Sequence, residues 1–145
     1  MATRYEIITN LFADLNNNLK VSNGYATKIY DTRFGVFDPN EFSALPAAGL
    51  WVIDDVLEND IMDESTFRRL NMICYGYDNA TETDLYTSFY QFIADIEKFL
   101  YSTDNRYYKN VLLGDVDITY GGASQQIGLF VVNFSILYSQ SGLES

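Results

Sequence analysis

TDLYTSFYQFIADIEKFLYS, residues 83–102, decides the architecture. Leu85, Phe89, Phe92, Ile93, Ile96, Phe99 and Leu100 recur at three- and four-residue steps, which places them on one broad face of a helix over about four turns. Thr81 or Thr83 can cap this helix, and Asp84 suits the positive end of its dipole. Such a face must be buried, and both flanks suggest how. On either side the 3.6-residue period gives way to a period of two.

Upstream, Thr66 to Tyr77 reads as a strand, with Leu70, Met72 and Cys74 on one face and Ile73, Tyr75 and Tyr77 on the other. Downstream, after a Thr103-Asp104-Asn105 turn, come Val111 to Leu113 and then Asp115 to Tyr120. Gly121-Gly122-Ala123-Ser124 supplies a turn tolerant of positive φ. The next strand, Gln126 to Tyr138, sets Phe130, Val132, Phe134, Ile136 and Tyr138 on one face. An antiparallel C-terminal hairpin over residues 115–138 is expected, with a frayed tail from Ser139.

At the other end, residues 3–19 have helical periodicity, with Ile8, Leu11, Phe12, Leu15 and Leu19 in one stripe. Thr3 and Glu6 match a capping box, and Asn23-Gly24 marks the exit turn. Tyr25 to Phe34 then reads as a strand around Ile29 and Tyr30. Gly35 to Gly49 is an irregular excursion holding both prolines, Pro39 and Pro46. Leu50 to Ile53 follows as a short strand closed by Asp54 and Asp55, and Glu58 to Glu64 as an acidic turn. The order is helix, three strands, helix, two strands. Residues 1–145 thus form a single α+β domain, a mostly antiparallel sheet packed with two helices.

Composition narrows the chemistry. Twenty Asp and Glu against nine Lys and Arg give a formal charge of −11, a surface that repels nucleic-acid phosphates and anionic lipid. With no histidine there is no Ser-His-Asp triad, no His-ligated metal and no imidazole switch. The lone Cys74 makes neither an internal disulfide nor a thiolate-rich zinc site, and it fits a reducing compartment. Arg4 and Glu6 interrupt any N-terminal apolar run that would read as a signal peptide, so synthesis in the cytosol is expected.

Asp115 and Asp117 share a strand face, as a two-carboxylate site requires, but a general acid needs burial and these residues lie among turn residues. The segment Asp54 to Glu64 lacks the alternating acids and central glycine of a calcium loop. Gly121-Gly122 is followed by Ala-Ser-Gln, without the lysine of a phosphate-binding loop. No catalytic, cofactor-binding or metal residue is assigned.

The aromatics point elsewhere. Ten Phe and 12 Tyr are more than one small core comfortably hides, and aromatic side chains are enriched at interface cores. Phe37, Phe42 and Leu45 of the excursion, with Trp51 at its exit, are expected to form an exposed patch. Arg68 and Arg69 face opposite ways, and Arg68 is the candidate ion-pair donor to a neighbouring subunit.

The layout resembles tail terminator, or tail-completion, proteins of tailed bacteriophages, including the lambda-like minor tail group. The resemblance covers nearly the whole chain. It rests on the N-terminal helix ending at Asn23-Gly24-Tyr25, the proline-containing excursion, and the strand Leu70 to Tyr77 leading into the helix Leu85 to Leu100. The turn Asp117 to Gly122 and the closing strand ending in Tyr138 complete it. All of these match at the level of pattern. The resemblance implies a structural protein without catalytic residues. It implies a homohexameric ring that ends tail-tube growth, contacts tube and head-connector proteins, and lets DNA pass through its lumen in the virion. Another neck or head-completion protein and a small acidic inhibitor that mimics DNA stand as alternatives.

Overall fold

The computed structural model describes residues 3–57, 65–79, 82–102, 110–120 and 127–141. The elements run α1 (Arg4–Asn18), β1 (Asp31–Phe34), β2 (Ala47–Leu57), β3 (Ser65–Asp78), α2 (Glu82–Ser102), β4 (Asn110–Tyr120) and β5 (Gly128–Ser141). One-turn 3-10 segments lie at Val21–Asn23 and Pro39–Glu41. The chain is α+β, with five strands in the order β1-β2-β3-β5-β4. Only the β1–β2 pair is parallel; the β2–β3, β3–β5 and β4–β5 pairs are antiparallel.

Both helices lie on one face of this sheet, because the alternation along the long strands leaves one apolar surface to cover. From β3 come Leu70, Met72 and Cys74; from β5 come Phe130, Val132, Phe134, Ile136 and Tyr138, all buried. Phe89, Phe92, Ile96 and Phe99 of α2 meet them, and Phe92 stands edge-on to Phe130 at 4.8 Å between centroids. Thr3 caps α1 in the expected box with Glu6. The buried stripe of α1 is led by Ile7, with Leu11, Leu15 and Leu19, while Ile8 and Phe12 are only half-buried.

Several boundaries differ from expectation for identifiable reasons. Tyr25 to Tyr30 is not strand; pairing begins at Asp31. Tyr25 and Thr27 are buried, and the Thr27 amide donates to Asp95 of α2 at 2.8 Å, so this segment crosses the helix layer. The excursion ends at Pro46, because Ala47 to Gly49 already belong to β2. Asp54 and Asp55 do not close that strand. A register shift between Val52 and Asp54 inserts Ile53 as an extra residue, and the strand continues to Leu57. The pieces expected at 111–113 and 115–120 form one strand, bulged between Leu113 and Val116. Pairing of β5 reaches Ser141, so Ser139 is not frayed. Thr83 lies inside α2 and does not cap it. Thr81, the acidic turn 58–64, the 103–105 turn and the glycine turn 121–124 lie outside the described residues.

Candidate interaction surface

The face of the sheet away from the helices is divided in two. Its β1 end is roofed by the excursion. Phe42 is 7% exposed and packs against Tyr75 and Tyr77, with ring centroids 6.3 and 5.9 Å away. Phe37 stands edge-on to Phe42 at 6.0 Å, Leu45 is half-buried in the same cluster, and the Arg33 guanidinium lies over both Phe rings. The expected patch of Phe37, Phe42, Leu45 and Trp51 is therefore not formed. Three of its four members fold inward, because the two tyrosines of β3 offer them a complementary apolar bed.

Hydroxyl groups hold that roof in place. Tyr75 donates to the Gly35 carbonyl at 2.6 Å and accepts from the Phe37 amide at 3.0 Å, while Tyr77 donates to the Phe37 carbonyl at 3.0 Å. Gly49 makes this geometry possible. A Cβ there would stand 2.1 Å from Tyr75 Cζ, so only glycine lets the ring lie across β2. Burial pushes the Tyr75 hydroxyl up to about 12, so these bonds persist well into alkaline solution.

Beyond the roof the same face is open. Trp51, Ile53 and Leu112 are 40%, 56% and 46% exposed. Trp51 points to this side by alternation from buried Leu50 and touches Phe34 at the sheet edge, 5.3 Å between centroids. Ile53 and Leu112 border a shallow hollow of about 480 Å³, whose ionisable lining residues are Asp54 and Arg69. Arg69 donates to Ser135 Oγ at 3.1 Å, and Asn71 donates to Asp54 at 2.6 Å. Asp115 and Asp117 lie on the adjoining edge strand, both exposed, where Asn133 Nδ2 donates to the Asp115 carbonyl and to Asp117 Oδ2.

Arg68 has an ion-pair partner within its own chain. It donates to Asp55 Oδ1 at 3.0 Å on the helix side, where Tyr138 donates to Oδ2 at 2.6 Å and Arg4 also pairs with Asp55. Burial alone would raise the Asp55 carboxyl, but the hydrogen bonds from Tyr138, Arg4 and Arg68 outweigh it and hold the group below the usual carboxylate range. This hub ties the start of α1 to the ends of β2, β3 and β5. Its signal in the sequence is weak, because the bulge at Ile53 alone turns Asp55 to the helix side.

Among the described residues no group of three or more Cys, Asp or Glu is arranged to hold a metal ion. Cys74 is buried, and burial pushes its thiol up to about 12. No helix among the described residues is long and apolar enough to cross a membrane. Compared with known families and curated proteins, the chain matches no family model and no curated sequence.

Proposed function

We propose that this chain is a structural assembly subunit that forms a closed homo-oligomer, six copies in the arrangement its tail-terminator resemblance implies. In that role the ring caps a tail tube and meets the head connector. The observation that carries the reading is the open half of the helix-free face, where Trp51, Ile53 and Leu112 stand exposed beside a roofed half built from similar residues. Large apolar side chains exposed on one sheet face, around a hollow lined by Arg69, Asn71, Asn133 and Ser135, suit a protein-binding surface. A net charge of −11 supports passage of DNA without capture at its phosphates. Six copies of 16.6 kDa give roughly 100 kDa. Light scattering on the purified protein, with and without tail tubes, should return that mass in at least one condition. A mass of 16.6 kDa in both would refute the reading.

A further inference from the structure

The cations of this acidic chain are unevenly used. Arg4 and Arg68 pair with Asp55, Arg33 pairs with Asp31, and Arg69 donates to Ser135. Lys20, Lys28 and Lys98 are all exposed, and none forms a salt bridge with a described residue. Two of them lie over tyrosine rings instead: Lys98 Nζ is 5.2 Å from the Tyr25 centroid and Lys28 Nζ is 5.0 Å from that of Tyr30.

Lys20 and Lys98 meet at Tyr25, and Lys28 follows three residues later on the same segment. The Tyr25 amide donates to the Lys20 carbonyl at 3.4 Å, Tyr25 sits under Lys98, and the Thr27 amide bonds Asp95 one helical turn before Lys98. Val21 and Tyr30, both more than half exposed, lie in the same 20–30 stretch. This surface lies on the helix layer. The open face, with its carboxylates Asp54 and Asp117, lies across the sheet from it.

We propose that copies of this chain join head to tail, the acid-rimmed apolar face of one seating the lysine-bearing side of the helix layer of the next. This deepens the assembly reading above and rests on it. Two copies meeting through the same face would gather four carboxylates, Asp54 and Asp117 from each, against two Arg69 guanidinium groups, a net like-charge contact that costs affinity. Joining unlike faces pairs carboxylates with lysines and covers Trp51, Ile53 and Leu112 with Val21 and Tyr30. Because the two patches are different surfaces, the contact is heterologous, the kind that closes into a ring when its rotation divides a full turn.

A charge-swap experiment tests this under the condition in which the wild type assembles. One variant carries Lys20→Glu, Lys28→Glu and Lys98→Glu; the other carries Asp54→Lys and Asp117→Lys. Each alone should be monomeric at 16.6 kDa by light scattering, with native circular dichroism. Mixed in equal amounts, they should regain the wild-type mass, since each then meets an opposite patch. A milder triple Lys→Gln variant should weaken assembly at least tenfold and serves if a reversal variant fails to fold. Variants that keep the wild-type mass alone, or a mixture of folded variants that stays monomeric, would overturn the head-to-tail contact and leave the assembly reading standing. A wild type that never assembles would instead overturn that reading.

Discussion

At the β1 end of the helix-free face, Phe42 is 7% exposed under its own excursion; a few residues away along β2, Trp51 is 40% exposed. Both are aromatic, both come from the stretch around the two prolines, and composition does not separate them. Tyr75 and Tyr77 make the difference, since they give Phe42 a bed and anchor the backbone around it. Among the described residues nothing of this kind roofs Ile53 and Leu112. On the proposed reading, an apolar side chain reports stability at one end of this face and association at the other.

Phe42→Ala should break the comparison at its covered end. Truncating a buried Phe costs about 3 kcal/mol, so the melting temperature should fall clearly while the association constant, per folded molecule, stays unchanged. An unchanged melting temperature with lost assembly would restore Phe42 to the interface.

Asp55→Asn should come next, at about 2 kcal/mol, because hydrogen bonds to a charged group are among the stronger ones. Its pH dependence has a definite sign. The folded carboxyl lies below its unfolded value, so the hub's stabilisation is complete above about pH 4 and is lost as pH falls through the folded value. Acid denaturation followed by circular dichroism should be shallower in Asp55→Asn than in the wild type.

Gly49→Ala should cost about 1–2 kcal/mol by pushing the Tyr75 ring off β2. It should also speed proteolysis within residues 35–46 as the roof loosens, which Trp51 variants should not do. Trp51→Ser should be smallest for the monomer, about 1 kcal/mol in a denaturant titration from the lost Phe34 contact and strand propensity, yet should reduce assembly at least tenfold by light scattering. A large loss of monomer stability there would erase the contrast between the two ends.

Periodicity carried much of this fold. The heptad-like spacing from Phe89 to Leu100, the alternation of Leu70, Met72 and Cys74, and the row from Phe130 to Tyr138 all fall on the buried faces expected of them. The Thr3–Glu6 box and the antiparallel β4–β5 pairing are equally local signals. Asp95 was not legible, because nothing near it in the chain marks the Thr27 amide, 68 positions away, as its partner.

What the sequence determined by itself is what depends on near neighbours in the chain: two amphipathic helices, the strands β3 and β5, the acidic balance and the absence of imidazole chemistry. Tertiary structure alone decided the parallel pairing of β1 with β2, the bulge that turns Asp55 toward Arg4 and Arg68, and which aromatics were covered. Those outcomes depend on residues 13 to 51 positions apart meeting across strands and layers. Phe42 and Trp51 look alike along the chain because burial is a property of the surface opposite a side chain.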